Sequence, residues 1–525
     1  MTRPTVIDLV AAATRPEPPD PPATRPTIDW IEGELPQIVD AAEAALIAGG
    51  ESIYQRAGQL VRVVRREAHT ARTFRRAAGA LGLVPVDTAS LVETLTRLAD
   101  WRRWDRRSDA WRPANCPDRV AQTYLSRVGL WRVRPLWAAV DAPTLRPDGS
   151  LLQRPGYDDA TGILYAPSVT YPGIPDRPTR AQAEAALEQL QEVVADMPFV
   201  DRVDRAVAVA MMMTGVIRRS LPAAPLGAIT APVMAAGKTL LADAIAIVAT
   251  GVSASAMAHP ATEEEAAKLV LALLAEGEAV VLLDNIERPL DGAWLCAVLT
   301  SESFAARRLG SNTLAHVPTS TLWLATGNAL LLRGDLRTRA LLCRLDPRCE
   351  RPEQREFAGD LRVEVARRRP ELVAAALTVM RAFLAAGERP SAHVRPWGRF
   401  ESWSDRVRAP LVWLGEADPC ASIAQLEAED PDRARHVAIL RAWHDAFAGE
   451  RVTVRDVIDR GVHDPALREA LELVARDRSG QLDALRLGRW LRQVQGRIVA
   501  GAEFQRDGAR QGVALWSVRG TPHEG

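Results

Sequence analysis

Short apolar runs alternate with segments of helical periodicity in the middle of the chain. The runs "LGAIT", "AVVLL", "TLWLATG" and "ALLCRL" have the length of buried strands and are flanked by polar or turn residues. Between the first two runs, "KTLLADAIAIVATG" carries apolar residues at helical spacing and ends at Gly251, which suits a helix C-cap. Strands that alternate with helices predict an α/β fold for this part of the chain.

The N-terminal part of the chain has a different pattern. Residues 1–27 are rich in proline and predict a flexible, extended tail. Residues 28–175 mix helical patterns with short strands such as "QLVRVVRR", which predicts a mixed α+β region. Five tryptophans of this region belong either to a core or to a surface that stacks on bases: Trp101, Trp104, Trp111, Trp131 and Trp137.

The C-terminal part, residues 391–525, ends in a pattern typical of a winged helix. An amphipathic helix stops at Gly496 and is followed by two strands with a turn predicted at Asp507-Gly508. Arg497, Arg506 and Arg510 would then lie near the wing, where contacts to DNA phosphates are usual. The alternative is a winged helix that binds protein or has only a structural role.

Composition is that of an ordinary globular protein and carries no membrane signal. Of the 525 residues, 47% are hydrophobic and 25% are charged, and no apolar run approaches the ~18 residues that a membrane span needs. The N-terminus has no long apolar core or clear cleavage site. We therefore expect a cytoplasmic protein without a membrane partner. The five cysteines have no metal-binding spacing and are expected to be free thiols.

The basic residues are almost all arginines. The 66 basic and 66 acidic residues balance, so any attraction to nucleic acid has to come from local patches. Only two of the basic residues, Lys238 and Lys268, are lysines. Lysine is a compact point charge, and a phosphate-binding loop has room for it but not for the planar fork of arginine. Lys238 is therefore predicted to be functional.

Lys238 lies in "TAPVMAAGKTLLAD", between a predicted strand and a predicted helix, which is the context of a phosphate-binding loop. The loop lacks the usual glycines, and an alanine there is strained if it needs a positive φ. Lys238 would reach the outer phosphates and Thr239 would bind Mg²⁺. The predicted nucleotide-binding residues are Ala235, Ala236, Gly237, Lys238, Thr239 and Leu240.

The strand in "EGEAVVLLDNIE" ends in Asp284, whose carboxylate is predicted to hold Mg²⁺ together with Thr239. The next residue is Asn285, where many ATPases place the glutamate that activates water, and an asparagine cannot accept that proton. Glu287 is the predicted substitute. An acid of "TEEEAAK" (Glu263, Glu264 or Glu265) is the alternative.

Three further side chains are predicted to act on the nucleotide. Asn328 ends the strand in "STLWLATGN" and would touch the outer phosphate or the attacking water. Arg337 and Arg339 follow it and would reach the nucleotide of a neighbouring subunit. Before this strand, "LTSESFAARRLGSNTLAHVPTS" predicts a hairpin that carries the basic residues Arg307 and Arg308.

In this order, "GKT", "VVLLDN", "TSESFAARRLG", "LWLATGN" and "GDLRTRALLCRLDPRCERPEQREF" resemble the superfamily 3 helicases of the AAA+ class, especially the primase–helicases of phages and mobile elements. The resemblance covers about Asp201 to Leu361. It implies a P-loop AAA+ core over residues 176–390 with a helical lid, ATP and Mg²⁺ as ligands, and a homo-hexameric ring. It also implies that Arg307 and Arg308 track DNA, single-stranded or forked, and that a primase is a possible partner.

Three functions compete at this point. The first is an ATP-driven DNA helicase or translocase of phage-type replication. The second is a replication initiator or regulator that binds ATP and DNA without translocating, which slow hydrolysis caused by Asn285 would favour. The third, a small-molecule P-loop kinase, would need neither the hairpin nor the winged helix.

Overall fold

The structure is a computed structural model that describes residues 25–71, 73–307, 314–354, 359–428, 431–477 and 479–523. Most of the predicted tail lies outside these residues, and so does Arg308. The fold is mixed α/β and divides into two compact units between Ile423 and Ala424. The sequence analysis put boundaries at residues 175 and 390, and both of these positions lie inside the first unit.

The first unit begins with small sheets and three helices. Its elements are β1 (Thr27–Trp30), α1 (Leu35–Ala48), β2 (Ile53–Arg56), β3 (Gln59–Arg65), β4 (His69–Thr70), β5 (Phe74–Arg76), β6 (Leu81–Pro85), α2 (Thr88–Leu98), β7 (Asp100–Asp105), β8 (Ala110–Pro113), α3 (Asp118–Ser126), β9 (Ala138–Val140), β10 (Thr144–Leu145), β11 (Leu151–Leu152), β12 (Gly156–Asp158) and β13 (Ile163–Tyr165). Strands β1, β7 and β8 form one sheet. Leu91 and Leu95 of α2 are buried in the core that packs against it. The mixed α+β character predicted for this region is therefore present.

The five tryptophans of this region divide between core and surface. Trp101 and Trp131 are buried, and their indole N–H groups donate to backbone carbonyls. Trp137 is half-buried and donates to the carbonyl of Arg219. Trp104 and Trp111 form an edge-to-face pair across β7 and β8, and Trp104 is 41% exposed. Base stacking thus stays a prediction for this pair alone.

A seven-stranded sheet forms the centre of the first unit. The elements in and around it are α4 (Arg180–Glu192), α5 (Arg202–Ile217), β14 (Leu226–Ala231), α6 (Lys238–Thr250), β15 (Ser255–Met257), α7 (Glu263–Ala275), β16 (Val280–Leu283), α8 (Ala293–Thr300), β17 (Ser303–Arg307), β18 (Leu314–Pro318), β19 (Leu322–Asn328), β20 (Ala340–Arg344), α9 (Leu361–Ala385), α10 (Glu401–Trp403), α11 (Ala409–Trp413) and α12 (Ala421–Ala428). The strand order is β20-β14-β19-β16-β15-β5-β4, and the first five strands are parallel. The apolar pattern predicts four of these strands, β14, β16, β19 and β20, and helix α6.

Alternate residues of β19 show how the two faces of this sheet are covered. Leu322 and Leu324 belong to the core that α5, α6 and α9 complete. Trp323 points to the other face and packs edge-on against Trp294 of α8, with ring centroids 5.6 Å apart. Strands buried on both faces are almost continuously apolar, which is why β16 and β19 contain so few polar residues.

Helix α6 is fixed at both ends. It begins after Gly237 and ends at Gly251, the predicted C-cap, which takes a φ of 81°. The Arg369 guanidinium of α9 donates to the carbonyls of Val248 and Ala249 in the last turn of α6. Arg369 also makes a buried 2.7 Å ion pair with Asp141, which ties α6 to the region before the central sheet. Helix α9 is thus a packing helix of the core around the central sheet.

The edge of the sheet beyond β15 comes from the N-terminal region. Strand β5 pairs antiparallel with β15, so that Arg75 lies opposite Ala256, and β4 pairs with β5. The Arg76 guanidinium pairs with the buried Glu278 carboxylate at 2.7 Å, and Ser255 Oγ donates to the same carboxylate. Nothing in the local sequence pattern predicts this long-range pairing.

The hairpin predicted after α8 is present. Strands β17 and β18 pair antiparallel in a register that sets Ser303 opposite Pro318 and Arg307 opposite Leu314. Arg307 is exposed at the described end of β17. The hairpin therefore carries at least one exposed arginine.

The second unit contains helices and one small sheet. Its elements are α13 (Pro431–Phe447), β21 (Val452–Thr453), α14 (Val454–Gly461), α15 (Pro465–Ala475), α16 (Ala484–Val494), β22 (Glu503–Arg510) and β23 (Val513–Arg519). The turn predicted at Asp507-Gly508 is wrong, because these residues form a bulge inside β22, between Arg506 and Ala509. The strands turn instead at Gln511-Gly512, where both residues take the positive φ of a tight hairpin turn.

None of the helices in the described parts of the chain combines the length and the apolar character that a membrane crossing needs.

Candidate nucleotide site

Three predicted site residues, Lys238, Asp284 and Asn328, come together at the carboxyl ends of β14, β16 and β19. Ala231 at the end of β14 lies level with Asn328 at the end of β19, and Leu283 of β16 lies level with Ala325. From β14 the chain crosses to β15 at one side, and from β19 it crosses to β20 at the other. Ligands of open α/β sheets bind at such a reversal, in the crevice outside the carboxyl ends of the strands.

The loop between β14 and α6 has two residues with positive φ, Ala235 at 58° and Gly237 at 94°. A side chain at Gly237 would meet Met197 Cε at 3.0 Å, so both space and backbone conformation favour glycine there. The strain expected for alanine in this loop is present at Ala235, and a left-handed conformation costs a residue with a Cβ roughly 1–2 kcal/mol. Ala236 and Lys238, which flank Gly237, are buried.

Lys238 is 9% exposed. Among the residues that the structure describes, its ammonium group contacts only neutral oxygens. Nζ donates to Asn328 Oδ1 at 2.6 Å and to the carbonyl of Val233 at 3.3 Å. Burial lowers the pKa of Lys238, and the nearby Asp284 carboxylate partly opposes this effect. A buried cation without an anion in direct contact favours an anionic ligand such as a phosphate.

Asp284 and Thr239 form the second half of the site. Thr239 Oγ1 donates to Asp284 Oδ1 at 3.0 Å, which joins the first turn of α6 to the end of β16. Thr326 Oγ1 donates to the same oxygen at 2.7 Å and accepts from the N–H of Asn285 at 3.0 Å. Hydroxyl and carboxylate oxygens are the ligands that Mg²⁺ prefers, and one or two of them suffice when phosphates supply others.

Asn285 has a φ of 54°, a left-handed conformation that asparagine tolerates better than glutamate. Its Nδ2 donates to Glu287 Oε1 at 3.3 Å, and Glu287 is exposed. The three acids of "TEEEAAK" lie at the start of α7, where Glu264 pairs with Lys268. The choice among these acids as the group that activates water stays a prediction.

Arg337 and Arg339 belong to a 3-10 helix between β19 and β20. Arg337 is half-buried, and its Nε donates to the carbonyl of Gly334 at 3.4 Å. Arg339 is 8% exposed and pairs with Asp335 at 3.3 Å. Arg337 is therefore the more exposed of the two, and the predicted role in a neighbouring subunit's site stays a prediction for both.

Two residues of this site were missed by the sequence analysis. Thr326 was detectable, because strand alternation puts it on the same face as Asn328. Arg75 was not, since it reaches the site on an N-terminal strand: its Nη2 lies 3.9 Å from Asp284 Oδ2.

The arginines predicted to bind DNA lie in both units. Arg307 is exposed on the hairpin, and Arg308 lies outside the described residues. In the second unit Arg497 follows α16, whereas Arg506 and Arg510 lie within β22, and all three are exposed. Three more exposed arginines lie on α16 and were not predicted: Arg486, Arg489 and Arg492.

No protein-family model and no curated protein matches the chain. Among solved structures, the apo NrS-1 C-terminal region is similar over 91% of this chain and 98% of its own, at 10% identity and a TM-score of 0.36. The SCCmec type IV Cch active helicase is similar over 78% of this chain and 82% of its own, at 10% identity and a TM-score of 0.28. The JCV helicase is similar over 50% and 71%, at 11% identity and a TM-score of 0.22. TM-scores below 0.5 establish no shared fold.

Proposed function

We propose that the chain is an ATP-dependent DNA helicase or translocase of the kind used in phage or mobile-element replication. The observation that carries the proposal is the convergence of Lys238, Asn328, Thr239 and Asp284 at the carboxyl ends of three neighbouring strands. We assign the loop before α6 to the nucleotide phosphates and the hairpin β17–β18 to DNA. The winged-helix assignment of the second unit belongs to the same proposal.

The side chains present fit a nucleotide with Mg²⁺. Lys238 is a buried cation that contacts neutral oxygens, so phosphate oxygens would relieve the cost of burying its charge. Thr239 and Asp284 offer the hard oxygen donors that Mg²⁺ takes. Bound there, Mg²⁺ would neutralise charge on the phosphates and orient them.

Each residue then has a defined task. Lys238 would leave Asn328 for the outer phosphates, and this would free the Asn328 amide to orient a water or a phosphate oxygen. Thr326 would keep the Asp284 carboxylate oriented, because it bonds both that carboxylate and the backbone N–H of Asn285. Arg337 and Arg339 would act across a subunit boundary, which requires a homo-oligomer and which we propose to be a hexameric ring.

An initiator or regulator that binds ATP and DNA without translocating is the second candidate. The observation that favours it is Asn285, which has an amide at the position next to the metal-binding aspartate and bonds the nearest acid, Glu287. Both candidates require DNA, and a primase is a possible partner of either. A small-molecule kinase would not need the hairpin β17–β18.

ATP hydrolysis measured with and without single-stranded DNA tests the proposal. We expect Mg²⁺-dependent hydrolysis that single-stranded DNA stimulates and that Lys238→Ala abolishes. Hydrolysis that ignores DNA, combined with DNA binding that depends on ATP, would support the second candidate. Absence of nucleotide binding would overturn both.

A further inference from the structure

Arg75 lies beside the carboxylate that we assign to Mg²⁺. Asp284 Oδ1 accepts from the hydroxyls of Thr239 and Thr326, whereas Asp284 Oδ2 faces the Arg75 guanidinium, whose Nη2 is 3.9 Å away. The carboxylate oxygen that the two hydroxyls leave open is therefore the one that the guanidinium approaches. A guanidinium and a divalent cation compete for such an oxygen because both are cations.

The strand that carries Arg75 is held without this contact. Strand β5 pairs with β15, and the N–H of Ala258 donates to the carbonyl of Thr73 at 3.1 Å. Arg76 pairs with Glu278 at 2.7 Å and with Glu276 at 3.2 Å. Removing the Arg75 side chain thus leaves the anchors of β5 in place.

Neighbouring residues of a strand point to opposite faces of the sheet, so the side chains of Arg75 and Arg76 meet different surroundings. The Arg76 side chain is 10% exposed and is engaged with two acids. The Arg75 side chain is 63% exposed, so it can move from Asp284 to solvent without breaking a buried contact. Arg76 therefore anchors the strand, and Arg75 is the movable cation at the edge of the site.

We propose that Arg75 neutralises Asp284 before a divalent cation binds and that the cation displaces it. Loading of Mg²⁺ is then a competition, and the N-terminal region sets the Mg²⁺ concentration that nucleotide binding requires. This inference rests on the proposed nucleotide site. It assigns to the N-terminal region a direct effect on the chemistry of the central sheet.

The test is the Mg²⁺ requirement for binding a fluorescent, non-hydrolysable ATP analogue, so that turnover does not enter. Arg75→Ala should lower the half-saturating Mg²⁺ concentration about two- to fivefold, the size of an exposed ion pair. Arg75→Lys keeps the positive charge and should stay close to wild type. Arg103→Ala removes an exposed arginine from β7, in a different sheet, and should change nothing.

Two results would overturn the inference. An unchanged Mg²⁺ requirement in Arg75→Ala, while Asp284→Asn raises it, would mean that Arg75 does not compete with the cation. Weaker analogue binding by Arg75→Ala at saturating Mg²⁺ would mean that Arg75 binds phosphates instead. Failure of the nucleotide site itself would look different, because Lys238→Ala would then bind the analogue as wild type does.

Discussion

Replacing Lys238 by methionine separates the function of this side chain from its structural role. Methionine keeps the apolar stem and removes the charge. Lys238 is 9% exposed, and truncating one partner of a buried charged pair, here the ammonium and a phosphate, costs about 2–5 kcal/mol. Affinity for ATP with Mg²⁺ should therefore fall from about 30-fold to several thousand-fold.

Stability should not fall with the affinity. The folded chain buries the Lys238 charge against neutral oxygens, and exposed Asn328 can bond water once the ammonium is gone. We expect the free energy of unfolding without nucleotide to stay within about 1 kcal/mol of wild type, or to rise. Because burial lowers the pKa of Lys238, the unfolded chain holds this proton more tightly than the folded chain. Wild-type stability relative to Lys238→Met should thus increase with pH between the lowered pKa and 10.5.

Calorimetric titration with a non-hydrolysable ATP analogue, followed by denaturant unfolding at two pH values, measures both effects. Lys268→Met is the matched control, since Lys268 is exposed and pairs with Glu264 one helical turn away. That pair is worth about 0.3–0.5 kcal/mol, and its loss should leave nucleotide affinity intact. Wild-type affinity in Lys238→Met would refute the site, and so would equal losses of affinity in the two lysine variants.

Four further predictions concern the cation, DNA and assembly. Asp284→Asn should raise the half-saturating Mg²⁺ concentration at least about tenfold, since it removes the carboxylate charge that accepts from Thr239; a titration monitored by analogue fluorescence measures this. Replacing both Arg307 and Arg308 by alanine should flatten the slope of log affinity against log salt by roughly one to two units on single-stranded DNA, and an unchanged slope would contradict a DNA-tracking hairpin. A chain that ends at Ala428, the last residue of α12, should hydrolyse ATP but bind DNA more weakly, as fluorescence anisotropy would show. Light scattering with ATP, Mg²⁺ and DNA should detect a homo-oligomer, and a monomer at micromolar concentration would exclude action of Arg337 or Arg339 on a neighbour.

Four strands of the central sheet, β14, β16, β19 and β20, were predictable because they are continuous apolar runs flanked by polar residues. The strands preceding Lys238, Asp284 and Asn328 are all present, and parallel pairing brings their carboxyl ends to one edge of the sheet. Once these three residues stand at strand ends, their proximity follows from geometry. The direct bond between Lys238 and Asn328 does not follow, because it depends on side-chain conformation.

The errors and omissions have physical causes of their own. Asp507-Gly508 has the composition of a turn, yet a bulge uses the same residues, and pairing with β23 decides between the two. The place of Arg75 beside the site could not be predicted, because an edge strand can pair with any exposed partner and no local pattern specifies a partner far away in the chain. The boundary near residue 175 was drawn from a change of pattern, and as a domain boundary it stays a prediction.

The shared sheet edge limits how this chain can be divided. If the chain were cut at residue 175, β15 would lose β5, one of its two neighbours, and the buried Glu278 carboxylate would lose the Arg76 guanidinium that pairs with it at 2.7 Å. Uncovered sheet edges pair with other chains, and a buried carboxylate without its cation is strongly destabilising. The N-terminal region therefore cannot be exchanged for another module, as a domain joined by a linker can. Fusion designs and minimal fragments should begin before Thr27, and the natural point of separation is the division near Ile423.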